Sequence, residues 1–149
     1  MIMKKRRRAF LAGGDGGPYI YKPGFTAWKN VENVTSSGSV TVSFGANYVS
    51  VKAGTTSSTI KLNLLISEKT YGKFSKIVFN AKYIGGGGSP KITWTNVSSG
   101  SAEKTTNLAN VENATTFTYD ISASAGDRYF SIAPYYKGGI IYIYDIHFE

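Results

Sequence analysis

Over most of the chain, apolar and polar residues alternate with a period of two. Val40, Val42 and Phe44 flank Thr41 and Ser43, and a turn at residues 45–47 leads into Tyr48, Val49 and Val51. The same spacing recurs at Ile60, Leu62, Leu64 and Ile66, at Ile77, Phe79, Ala81 and Tyr83, at Ile92 and Trp94, and at Phe117, Tyr119 and Ile121. Residues 128–135 (RYFSIAPY) and 139–148 (GIIYIYDIHF) complete the series. Successive side chains of a strand point to opposite faces, so this period marks strands with one face in a core and the other outside. About eight strands are expected, separated by Gly, Ser, Asn and Pro clusters that favour turns. No segment sustains a period of 3.6; residues 102–114 (AEKTTNLANVENA) read equally as a helix or a long loop. The echo of NVENVT at 30–35 in NVENAT at 110–115 has no matching periodicity around it and is taken as coincidence. The pattern predicts an all-β fold, an antiparallel two-sheet β-sandwich of the jelly-roll kind, over residues 19–149.

Composition agrees with the pattern. The chain has 149 residues, enough for one domain that buries roughly 70% of the surface of its unfolded chain. It has no cysteine, which excludes disulfides and thiolate metal sites. Charge is unevenly placed. The net value is +8, but Lys4, Lys5, Arg6, Arg7 and Arg8 are consecutive, and outside that run 12 basic residues face 9 acidic ones. The basic character therefore belongs to an N-terminal arm, joined by a Gly-rich hinge (GGDGGP, residues 13–18) to a nearly balanced body. RRAFL at 7–11 has the look of a twin-arginine export signal, but the apolar stretch ends at Ala12, too soon for its apolar core. No stretch is apolar for the length of a membrane span.

Catalysis needs titratable groups that converge. The nine carboxylates fall mostly in turns or on polar strand faces, and no pair has a recognisable acid–base spacing. The single histidine, His147, alternates with Asp145 and Glu149 on one face of the last strand. A zinc site there would need further ligands, and neither a cysteine nor a second histidine exists. The run Gly85 to Gly88 is followed by Ser89, Pro90 and a strand, whereas a phosphate loop needs a Lys, a Ser or Thr and a helix; it reads as a hairpin tip. The sequons at Asn33, Asn96 and Asn113 carry little weight in a chain so rich in Ser and Thr. No enzyme, metal or cofactor is expected.

The aromatic residues are more informative. Eleven tyrosines, eight phenylalanines and two tryptophans offer surfaces on which the apolar face of a sugar ring can stack. Trp28, Trp94, Tyr135 and Tyr136 lie near turns or strand ends and are the candidates for contact with a glycan or another partner. Trp94, alternating with Ile92, could instead fill the core, and Trp28 could pack beneath its own loop. The tyrosines of the final strands also suit a protein interface. Lys4 to Arg8 with Phe10 form a candidate anchor for docking on an acidic neighbour; five charges without interleaved aromatics make nucleic acid the weaker alternative.

The opening MIMKKRRRAFLAGG, followed by YIYKPG and a lone Trp, resembles small structural proteins of tailed phages and prophages of gut Firmicutes. The body, with LNLLIS, YGKFSKIVFNAKY and the closing GGIIYIYDIHFE, resembles galactose-binding-like and carbohydrate-binding-module jelly rolls. The resemblance covers most of the chain through strand patterns, and no binding residue carries over position by position. It implies a non-enzymatic virion component, a capsid decoration or tail protein present in many copies. Other virion subunits would be its partners, with neither nucleic acid nor membrane among them. The alternative is a carbohydrate-binding module that recognises surface glycans through exposed aromatics.

Overall fold

A computed structural model describes residues 17–149. The arm and most of the hinge, including the anchor candidates Lys4, Lys5, Arg6, Arg7, Arg8 and Phe10, lie outside the described residues. Within them, eleven strands and one helical turn run in the order β1 (Tyr19–Tyr21), β2 (Asn33–Ser37), β3 (Val40–Phe44), β4 (Val49–Ala53), β5 (Lys61–Ile66), α1 (Glu68–Tyr71), β6 (Lys76–Ile84), β7 (Lys91–Asn96), β8 (Ala102–Asn107), β9 (Thr115–Asp120), β10 (Arg128–Ala133) and β11 (Ile140–Phe148). They form two antiparallel sheets. A six-stranded sheet has the order β3-β4-β11-β6-β9, with β1 paired to the far end of β11; a five-stranded sheet has the order β2-β5-β10-β7-β8. From β4 onward the chain changes sheet at every connection except the β7–β8 hairpin, as in a jelly roll.

The expected fold class holds, but the strand count rises from eight to eleven. The added strands are β1, β2 and β8. Five residues of β2 (NVTSS) are all exposed, and β8 (AEKTTN) is almost wholly so, because both are edge strands with little of the core to cover. Such strands carry no apolar alternation. Residues 102–114 are accordingly neither helix nor one long loop: their first half pairs with β7, Thr105 opposite Thr93 and Thr106 opposite Ile92. The β-branched threonines suit that half-exposed ladder.

The inward positions of the alternating strands make one core. Val49 and Val51, Leu64 and Ile66, Ile77 and Phe79, Ile92 and Trp94, Phe130 and Ile132, and Ile141 and Ile143 all have no exposed surface. Each such side chain contributes roughly 1.5–3 kcal/mol by leaving water. Phe79 meets Phe117, Tyr119 and Phe130 at 5.1–5.3 Å between ring centroids, which ties both sheets together at the centre. At one end of the five-stranded sheet Arg128, 3% exposed, is held by two parallel bonds of 3.0 Å to the Glu103 carboxylate and donates to the carbonyls of Ala125 and Asp127. That fork closes the β9–β10 loop over Trp94, whose indole N–H donates to Ser124 Oγ at 2.9 Å.

Candidate functional site

The last strand, β11, runs through the middle of the six-stranded sheet and decides what its outer face presents. Ile141 and Ile143 point inward with no exposure, so Tyr142 stands on the outer face. Strict alternation would then bury Asp145 and His147 at a cost of several kcal/mol for unpaired charge. A β-bulge between Ile143 and Asp145 prevents this. The extra residue shifts the parity, so Tyr144 and Asp145 both stay partly exposed while Ile146 and Phe148 return to the core.

Register sets the neighbours of these side chains. At the level of Tyr142 the outer face reads Ser43, Ser50, Tyr142 and Lys82 across four strands. One level along it reads Asp145, Asn80 and Thr116; the next reads Tyr19, His147, Val78 and Thr118. In the other direction lie Thr41, Lys52, Ile140 and Ile84. Tyr48, at the end of a turn closed by the Gly45 N–H on its own carbonyl, leans over β11. Its ring meets Tyr142 edge-on at 4.9 Å and Tyr144 at 5.8 Å. Lys82 reaches to 5.5 Å from the Tyr142 ring centre and donates to the carbonyl of Glu112. Asn80 donates to Thr116 Oγ1. At about 3.4 Å per residue, the strip from Ile140 to His147 is roughly 20 Å long.

His147 closes the strip. Its Nδ1 lies 2.5 Å from Asp145 Oδ1 and its Nε2 2.9 Å from Glu149 Oε2, and its ring lies 5.2 Å from that of Tyr19. Burial disfavours the charged imidazolium, but the hydrogen bonds and charges of Asp145 and Glu149 outweigh it and raise the His147 pKa above its ordinary value. Among the described residues, no group of three or more His, Asp or Glu side chains is placed to hold a metal ion. This face can therefore stack flat apolar surfaces on tyrosine rings and offer hydroxyl, amide, amine and carboxylate groups alongside them.

The residues singled out from sequence fall elsewhere. Trp94 cannot touch a ligand: it has no exposed surface, and Tyr71 packs edge-on against it at 5.2 Å. Its alternation with Ile92 was the true signal, because both face the interior. Trp28 is half-buried between Tyr21 and Phe44, beside β1 and β3, and not on the strip. Tyr135 and Tyr136 stand in the β10–β11 loop at the end of the sandwich, where Tyr136 is 40% exposed. Sequence reasoning passed over Tyr19, Tyr48, Tyr142 and Tyr144 as individual site residues. The signal for two of them was present, since tyrosines alternating with isoleucines on a core strand must face outward.

No protein-family model matches the chain, and no curated protein matches it. Solved structures do. A mutant of a carbohydrate binding module family 29 superposes with a TM-score of 0.64 at 16% identity, over 87% of this chain and 89% of that one. A family 29 module mutant complexed with cellulohexaose gives 0.62 at 18% identity, over 87% and 88%. Another, complexed with mannohexaose, gives 0.64 at 15% identity, over 87% and 89%. At these identities the likeness is one of fold. It carries the jelly-roll part of the sequence expectation and says nothing of a virion.

Proposed function

We propose that this domain is a non-catalytic carbohydrate-binding module that holds an extended, unbranched hexose chain along the outer face of its six-stranded sheet. The observation that carries the reading is the cluster of Tyr48, Tyr142 and Tyr144 on an open strip, flanked by Ser50, Lys82 and Asn80. A sugar ring has apolar C–H faces and a rim of hydroxyls. It needs aromatic surface below and hydrogen-bonding groups beside it, and this face supplies both. The strip has room for several units in a row. Structures of the same fold were solved with cellulohexaose and mannohexaose bound, which supports a linear hexose chain as the ligand class.

Glycan recognition thus replaces the virion role as the main reading. The virion role rests on the N-terminal segment, and neither the sheets nor the structural neighbours add to it. Titration calorimetry with cellohexaose and mannohexaose tests the proposal. Tyr142→Ala should weaken binding by about tenfold or more, the effect of losing a central anchor worth ~1.4 kcal/mol. Unchanged affinity in that variant would remove the basis for the reading.

A further inference from the structure

We infer that the tyrosine strip ends in a further sugar subsite at the loop end of the sandwich, formed by Tyr136 and positioned by the glycine run Gly85 to Gly88. This rests on the reading of the strip as the glycan surface and extends it beyond the sheet.

The chain itself leads from one to the other. Tyr136 is held at the head of β11, its carbonyl accepting from the Gly139 N–H at 2.7 Å just before Ile140 begins the strand. Between Tyr136 and Tyr142 the outer face carries Ile140 and, directly across from it, Ile84, which is 38% exposed. Apolar surface therefore continues past the last tyrosine of the sheet at Ile140 and Ile84, with Lys52 beside Ile140 on β4 to hydrogen-bond sugar hydroxyls.

The loop around Tyr136 is built to hold its ring still. The ring lies directly on Gly86: a Cβ there would fall inside the van der Waals radius of the Tyr136 ring carbons. The Tyr135 ring lies in the same way on Gly88, and Tyr135 takes a left-handed backbone conformation, φ 65°, that bulky residues rarely adopt. Such strain, on the order of 1–3 kcal/mol, persists only where the surroundings fix it, and it concentrates at binding sites. The fixing contacts are present. Ser57 N–H donates to the Tyr135 carbonyl, Lys137 N–H to Thr56 Oγ1, and Asn110 Nδ2 to the Gly85 carbonyl. One face of Tyr136 is thus braced against backbone while 40% of the residue remains exposed. A ring fixed before binding loses little freedom when a sugar stacks on it. Three of the four glycines have a steric reason: a side chain at 86 or 88 would displace Tyr136 or Tyr135, and one at 85 would collide with the Tyr83 hydroxyl and the Gly139 backbone. Gly87 has no such neighbour: a Cβ there meets nothing within 4 Å.

The test compares linear β-1,4-linked glucose or mannose oligosaccharides of three and six units, by calorimetry on the intact chain. Tyr136→Ala should lower hexasaccharide affinity by about fivefold or more and leave trisaccharide affinity unchanged, whereas Tyr136→Phe should retain both. Gly86→Ala should reproduce the Tyr136→Ala loss, and Gly87→Ala should not. A melting scan for each variant separates ring displacement from unfolding. If Tyr142→Ala weakens both lengths while Tyr136→Ala weakens neither, the terminal subsite is wrong and the strip stands. If the wild-type chain binds neither length, or Tyr142→Ala is silent, the strip itself is wrong and the subsite falls with it.

Discussion

The ring of Tyr48 meets that of Tyr142 at 87°, edge against face, with centroids 4.9 Å apart. The two come from separate pieces of chain, the turn before β4 and the middle of β11, so each fixes the other's orientation. Rings that orient one another do not act independently on a ligand. Tyr48→Ala and Tyr142→Ala should each weaken hexasaccharide binding, and the double variant should lose less than their sum. A coupling of at least about 0.5 kcal/mol is expected from a double-mutant cycle. Strict additivity would show that the edge-on contact does not organise the site.

Arg128 should be a keystone of stability without touching ligand. Arg128 is 3% exposed, and its guanidinium spans Glu103 and three loop carbonyls, those of Ala125, Gly126 and Asp127. Arg128→Ala leaves Glu103 without its cation and those carbonyls without a donor. Because the Glu103 carboxylate stays partly solvated, a loss of about 1–3 kcal/mol is expected in denaturant unfolding, chiefly from the loop carbonyls left without a donor. Hexasaccharide affinity, measured where the variant is folded, should be unchanged.

Trp94 separates core from contact in the same way. Trp94→Ala removes a fully buried indole together with its bond to Ser124, and a cost of about 3–5 kcal/mol is expected. Trp94→Phe should fold and bind hexasaccharide like the wild type. Weaker binding by a stable Trp94→Phe variant would contradict the placement of this residue in the core between the sheets.

His147 gives the domain a pH dependence of known sign. Both ring nitrogens face carboxylates, and imidazole donates from both only when protonated. Its folded-state pKa is raised above 6.5 by Asp145 and Glu149 against the opposing effect of burial. The stabilisation is therefore fully present below the unfolded-state value and is lost as pH rises through the folded-state value. An NMR titration of the His147 ring should have its midpoint above 6.5. With Asp145→Asn and Glu149→Gln together, burial alone remains, and the midpoint should fall below 6.5. A wild-type midpoint below 6.5 would contradict the arrangement.

The sequence made the sandwich legible wherever a strand has one buried face, since Ile, Val and Phe at every second position leave few other structures open. It hid β2 and β8 because edge strands bury too little to show a pattern. It also held the parity break in β11: Ile141 and Ile143 are followed by Ile146 and Phe148, a step of three between steps of two, which is the mark of the bulge. The site was harder to read. Which exposed aromatics lie side by side depends on register between strands far apart in the chain, as for Tyr48 and Tyr142, and alternation within one strand carries no such information. Trp94 drew attention as a large aromatic near a turn, yet the Ile92–Trp94 spacing already marked it as interior. The tetraglycine reads locally as a hairpin tip, but it is a crossover from β6 to β7 in the opposite sheet, and nothing local shows that two tyrosines from residues 135–136 rest on it.

Backbone amide shifts followed by NMR during titration with cellohexaose or mannohexaose test the central claim most directly. The largest changes are expected at Tyr48, Ser50, Lys82, Tyr142 and Tyr144 on the six-stranded sheet, with Asn63, Thr93 and Tyr129 on the opposite outer face unmoved. Changes confined to β5, β7 and β10, or none with either hexasaccharide, would contradict it.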